Sequence, residues 1–309
     1  MGNKVEAVDR VLRTRTIVLW GVGLVTVAAA AAAVLLSLLG GGTPADSARL
    51  DALRTAASIV VGTGGAAALL LAARRQRWAE LDLEQKEHDA TERRVTEMYS
   101  KAADQLGSDK APVRLAGLYA LERLAQSHRP QRQTIVNVLC AYLRMPFNPG
   151  RRGVAEELQV RKTAQRILML HLRCPGTEGD GMFWPDIDLD LSGATLVSLS
   201  LTHCEIRSIV CFDARFVELA SFRGTEFRTK ADFNRATFAG RVDFRGTVFG
   251  GERDSFNGAA FEGPVDFGTK TVARLGGATA KSGVARTWPP GWEERPLADR
   301  DGWAELRSI

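Results

Sequence analysis

Metal ligation and nucleophilic catalysis need titratable or soft side chains at fixed spacings, and this chain offers few of them. Its histidines are His88, His128, His171 and His203, and its cysteines are Cys140, Cys174, Cys204 and Cys211. No CxxC pair occurs, and no histidine stands at zinc-finger spacing from a cysteine. His171 and Cys174 are neighbours, but two ligands do not make a site. None of the histidines falls in HExxH, and GxSxG and GxxxxGK[ST] are missing altogether. Gly40 to Gly42 lies between apolar runs rather than between a strand and a helix, so it does not read as a phosphate cradle. The expectation is a non-enzymatic protein without metal or cofactor, its cysteines unpaired and Cys140 serving as a small buried apolar residue.

With chemistry set aside, composition and patterning carry the reading. The 309 residues are 45% apolar, enough for a sizeable core and more than one unit, with a net charge of +5. The basic residues cluster beside apolar stretches: Lys4, Arg10, Arg13 and Arg15 before one run, and Arg74, Arg75 and Arg77 after another. That placement favours membrane flanks over a nucleic-acid surface. The run 16–39 carries no charge and as a helix would reach roughly 36 Å, while the run 55–73 would reach roughly 28 Å. Residues 1–15 then form a basic cytoplasmic N-terminus and 40–54 a short extracytoplasmic loop. The positive-inside rule puts both termini in the cytoplasm of an inner-membrane, two-span protein.

Residues 74–182 read as a charged helix followed by short amphipathic helices. Pro112 opens one, Pro130 and Pro146 separate the rest, and the pair APVRLAGLYALERLAQ and QTIVNVLCAYLRM has broad apolar faces of HEAT-like character.

From residue 183 the period changes. Leu191, Leu196, Leu201, Ile206, Cys211 and Phe216 recur every five residues. Phe222, Phe227, Phe233, Phe238, Phe244 and Phe249 follow at five or six, and Phe256, Phe261 and Phe267 resume after GGERDS. Two residues before most of these stands a small or aliphatic partner such as Ala194, Cys204, Ala236 or Val242. A pair at i−2 and i shares one face of a strand, but five is odd, so a straight strand would turn the next pair outward. Keeping every pair inward requires a corner per repeat. That is a β-solenoid, and an antiparallel sandwich would lack the five-residue beat. Arg235, Arg241, Arg245, Gly246 and Thr247 are assigned to corners and outer surface, and GGERDS to a protruding loop.

The stretch from Leu189 to Phe267, through GATLV, KADFN, RATFA and RVDFR, resembles the pentapeptide-repeat proteins, whose repeat is A(D/N)LXX. That resemblance implies a right-handed quadrilateral β-helix over 183–268. About fifteen repeats make roughly four coils, a stack near 20 Å tall at the strand spacing. The full layout, with KAADQLGSDKAPVRLAGLYALERLA and WPDIDL, is similar to a group of actinobacterial membrane proteins. Trp184 and the helix ending near Cys174 are expected to cap the first coil. Trp288, Trp292 and Trp303 of the Trp/Pro-rich tail, 269–309, are expected to cap the last.

Two functions follow. A scaffold would present the solenoid to a protein partner. Alternatively, since some family members imitate DNA and bind gyrase, the solenoid would do the same. That second reading needs an acidic rod, which Arg223, Arg228, Lys230, Arg235, Arg241 and Arg245 interrupt. No nucleic acid is expected as a partner, and the oligomeric state is left open.

Overall fold

The computed structural model describes residues 21–23, 26, 27, 30, 34, 44–174, 181–252 and 254–309. The chain divides into two compact units, Met1–His88 and Asp89–Ile309.

The main element of the first unit is helix α1 (Pro44–Leu106), 63 residues long, which continues into the second unit. It corrects the membrane reading. Among the described residues no helix is long and apolar enough to cross a membrane. The second expected span, 55–73, is one stretch of α1, and Thr55, Ser58, Gly62, Thr63, Gly64 and Gly65 dilute its apolar character. The segment read as an extracytoplasmic loop is helical from Pro44 onward and carries Asp46, Arg49, Asp51 and Arg54. The first expected span, 16–39, lies mostly outside the described residues. The two-span fold and the multi-pass inner-membrane location are therefore not supported.

In the second unit α2 (Ala111–Ser127), a 3-10 turn (Arg129–Gln131), α3 (Arg132–Arg144) and α4 (Ala155–Leu172) form a small bundle. Prolines set the breaks, because Pro112 fits a first turn whose N–H has no partner anyway, whereas Pro130 cannot continue α2. Leu118, Leu121 and Leu124 of α2 are buried with Ile135, Leu139 and Leu143 of α3 and Val160, Ala164 and Leu168 of α4. The buried Arg161 donates to the carbonyls of Leu143 (3.0 Å) and Met145 (2.9 Å), closing the end of α3, and pairs with Glu157 at 2.7 Å.

The rest is a solenoid of about four turns. One sheet stacks β1 (Asp188–Asp190), β3 (Glu205–Val210), β6 (Glu226–Asp232) and β9 (Val248–Phe249). A second stacks β2 (Thr195–Val197), β4 (Arg215–Val217), β7 (Thr237–Phe238), β10 (Ala260–Phe261) and β12 (Thr279–Lys281). A third stacks β5 (Ala220–Ser221), β8 (Val242–Asp243), β11 (Val265–Asp266) and β13 (Arg286–Thr287). Every one of these ladders is parallel, as a chain wound on itself requires.

Register shows where the sixth residues go. Thr195 pairs with Arg215, Arg215 with Thr237, and Thr237 with Ala260, so successive coils take 20, 22 and 23 residues. One extra residue is absorbed where the β3–β6 pairing shifts between Ile206 and Ser208. Another sits at a corner where Gly240 lies under Glu218 and Gly263 lies under Gly240. A Cβ on Gly240 would come 1.7 Å from the Glu218 carbonyl oxygen, and one on Gly263 would come 2.2 Å from that of Gly240. Only glycine fits so close a backbone approach.

Other corners are closed by aspartate. The Oδ1 of Asp190, Asp232, Asp243 and Asp266 accepts from the backbone N–H two residues on, at 3.1, 3.1, 3.0 and 2.9 Å. Each is an Asx turn, and this is the physical reason for Asp or Asn immediately before the large residue of a repeat.

Two readings of the solenoid's extent change. The aromatic beat stops at Gly268, but β12 and β13 continue the parallel stack, with Leu275 and Ala280 buried where larger side chains had been and Ala278 buried beneath Ala259. In GGERDS, Asp254 is buried and accepts from Ala231 N (2.6 Å) and Gly251 N (2.9 Å), so the insertion is pinned to the coil rather than projecting freely.

Candidate interaction surface

The large residues of the repeat form columns. Phe216, Phe238 and Phe261 stack face to face, with centroids 4.8 and 4.9 Å apart. Phe222, Phe244 and Phe267 do the same at 5.0 and 4.8 Å, and Phe233 lies on Phe256 at 5.0 Å. Neighbouring columns meet edge to face, as Phe222 and Phe233 do at 5.4 Å. Leu191, Leu196, Leu201 and Ile206 fill the first coil, and Cys211 lies on Leu191 in the second. Phe227 is buried with the rest, whereas Phe249 is only half-buried.

The fourth side of each coil is built differently. Where other sides carry alanine or valine at i−2, this side carries Cys204 and then Thr225, Thr247 and Thr271, all buried. Thr225 Oγ1 donates to the Leu201 carbonyl, Thr247 Oγ1 to that of Phe222 at 2.8 Å, and Thr271 Oγ1 to that of Phe244 at 3.1 Å. Each hydroxyl reaches one coil back, so burial costs no unsatisfied polar group. Thr247 is thus an interior residue, not the surface one its polarity suggests.

With the interior filled, what the solenoid offers a partner is its outside. There the charges alternate in sign and pair between coils. Arg228 bridges Asp186 (2.8 Å) and Glu205 (3.1 Å), Arg235 faces Asp213 (3.4 Å), and Arg245 holds Asp243 (2.6 Å) and Asp266 (3.4 Å). The hydrogen bond from Arg207 keeps the Asp188 carboxyl below its ordinary range, and that contact raises Arg207 in turn. Burial pushes Asp243 up, but the hydrogen bonds from Arg245 outweigh it and the net shift is downward. Phe212 is the largest apolar side chain exposed on the coils, and the Arg235 guanidinium covers it at 5.1 Å from the ring centroid.

Both ends of the coil are closed. At the first coil, Gln133 of α3 pairs with the backbone of Asp188 through both amide atoms, at 2.9 Å each. Gln165 of α4 donates to the Val197 carbonyl at 3.2 Å. Trp184 is fully buried, stacks on His171 at 3.8 Å and donates to Gln126 at 2.9 Å. At the far end β14 (Trp292–Pro296) and β15 (Trp303–Ser308) form an antiparallel hairpin whose β15 pairs with β12. Trp288 packs on Phe261 at 5.2 Å.

The titratable residues do not converge. His171 sits between the Glu122 carboxylate (2.8 Å) and the Met182 carbonyl (2.7 Å), and His203 is an exposed corner residue with φ 54°. Burial pushes the Cys140 and Cys204 thiols up to about 12 and raises Cys211 well above its ordinary value, so none of these is a thiolate at neutral pH. Among the described residues no group of three or more His, Cys, Asp or Glu is placed to hold a metal ion.

The family described as Pentapeptide repeats (9 copies) matches residues 222–268. This stretch is a pentapeptide-repeat solenoid. The match covers the coils from Phe222 to Gly268 and not the leucine-centred first coil, although the parallel stack continues on both sides of it. It does not reach the helices, so it lends nothing to the actinobacterial membrane-protein resemblance. No curated protein and no solved structure matches the chain.

Sequence reading missed the threonine column, the Asx turns and the Gln133 clamp. The first two carried a signal, since Thr225 and Thr247 stand at i−2 and the aspartates at i−1 of the beat. The clamp carried none, because it joins residues 55 positions apart.

Proposed function

We propose that the chain is a non-enzymatic scaffold whose pentapeptide-repeat solenoid docks a protein partner on its outer faces. The observation that supports this most is the filled interior. Aliphatic side chains in the first and last coils and aromatic stacks between them fill the interior, so a rigid outer surface of parallel strands remains to act. Gyrase binding through DNA mimicry is the weaker reading, because Arg228, Arg235 and Arg245 neutralise the acidic residues that would have to imitate phosphates.

The test is site-specific photocrosslinking in cells. A photoreactive residue is placed at Arg215, Thr237 or Ala260, successive register positions of the β2 sheet, and for comparison at Arg123 on α2. The expected result is one discrete protein adduct from neighbouring solenoid positions and none from Arg123. Adducts only from Arg123 would sink the reading, and a gyrase subunit in the adduct would favour mimicry instead.

A further inference from the structure

Beside the first-coil cap lies an open groove of about 450 Å³, where the 3-10 turn meets the segment entering β1. Pro130, Phe183, Pro185 and Ile187 give it apolar walls, and Arg129 and Arg132 stand in it. Arg132 is only 8% exposed. Its Nε donates to the Ala125 carbonyl at 3.2 Å, and its guanidinium lies 5.6 Å from the Trp184 ring centroid. Among the described residues neither arginine has a carboxylate oxygen within 4.0 Å. Among the described residues the one acidic residue lining the groove, Asp186, is held by Arg228 at 2.8 Å. Elsewhere in the unit a buried arginine has an acidic partner, Arg161 with Glu157 and Arg286 with Glu294.

Arg132 Nη1 also donates to the Phe183 carbonyl at 3.5 Å, but a buried cation with two neutral carbonyls and a ring for company and no carboxylate is costly, and a second cation beside it raises that cost. Burial, and then the Arg129 charge, draw the Arg132 pKa below its ordinary value. An anion in the groove would relieve both.

We propose that this groove binds an organic anion, a carboxylate carried on an apolar body, with the acid group between Arg129 and Arg132 and the body against Phe183 and Pro185. The volume suits a small ligand. The site is apart from the outer sheet faces, so it stands or falls independently of the scaffold reading.

The probe is phenylacetate, titrated into the full chain by saturation-transfer NMR, with 2-phenylethanol as its neutral counterpart and inorganic phosphate as the bare anion. Saturable phenylacetate binding is expected with Kd of about 1–10 mM, as a ligand of that size allows. Phosphate should bind more weakly and 2-phenylethanol not saturably. Arg129→Gln, at an exposed position, should weaken phenylacetate about tenfold, the worth of one charge-assisted hydrogen bond. Asp186→Asn should tighten binding, and asparagine tolerates the φ of 58° there. Equal binding by wild type and Arg129→Gln would overturn the proposal, as would saturable binding of 2-phenylethanol to match.

Discussion

Asp243 does two things with one carboxylate: it closes a corner through Arg245 N at 3.0 Å and pairs with the Arg245 guanidinium at 2.6 Å. Asp188, Asp190 and Asp243 all sit below the ordinary value of 3.8, so folding favours their ionised forms. The stability they contribute is present above that value and lost as pH falls through the lowered pKa. Thermal melts should therefore drop between about pH 5 and pH 2, modestly, because these pairs are partly exposed and screened by salt. Asp243→Asn keeps the corner acceptor and removes the charge, so its acid limb should be shallower than wild type; an unchanged limb would assign the acid sensitivity elsewhere. Asp254 opposes the trend, since burial raises it and its contribution fades as pH rises. Thr247→Val tests the threonine column. It keeps the shape and removes the donor to Phe222 O, which still accepts from Thr225 N at 3.0 Å. The cost should be about 1 kcal/mol in denaturant unfolding, with Thr247→Ser closer to wild type. The i−2 position of Thr247 carried the signal that this hydroxyl is interior, but threonine's polarity suits a corner as well as its volume suits a valine site.

At the scale of the element, a coil is held by its column, so position within the stack sets the cost of a change. Phe244 stacks on Phe222 and Phe267 and meets Phe233 and Phe256 edge-on, while Phe249 is half-buried, stacked face to face on no ring, and touches Phe227 and Phe244 tilted and Phe256 edge-on. Phe244→Ala should cost about 3–5 kcal/mol and Phe249→Ala clearly less. Equal costs would mean that the columns do not carry the stability. Ala236→Asp puts an unpaired charge at a fully buried site, and that variant should fail to fold, read as loss of the thermal transition. The repeat itself was readable in sequence because its period is local and its large residues are aromatic. Its true end was not, since Leu275, Ala278 and Ala280 keep the coil going without the beat. The membrane reading failed for a related reason. The uncharged run 55–73 reads as a span, but Gly62, Thr63, Gly64 and Gly65 interrupt it, and apolarity along one line says nothing of how far a helix continues on either side.

For the solenoid as a whole, the hazard is its open ends. Parallel coils leave a row of unpaired backbone groups at each end, a template for another copy. The first end is covered by Gln133, Gln165 and Trp184. The last is covered by β15, which pairs antiparallel with β12 and buries Ala304 and Leu306. That transfers the free edge to β14, whose sequence WEERP puts Glu293, Glu294, Arg295 and Pro296 on it. Charge and proline there discourage further pairing. A chain ending at Pro289 keeps Trp288 on Phe261 but removes both strands of the hairpin, exposing the β12 edge and the apolar surface around Ala280. It should associate in proportion to its concentration in light-scattering chromatography, under conditions where the full chain's mass stays constant. It should also melt lower, because two buried side chains are lost with the ladder. If the truncated chain kept a constant mass across the same range, the β12 edge would be harmless when bare. The hairpin would then be freed from its role as a guard, and the charges along β14 would need another reason.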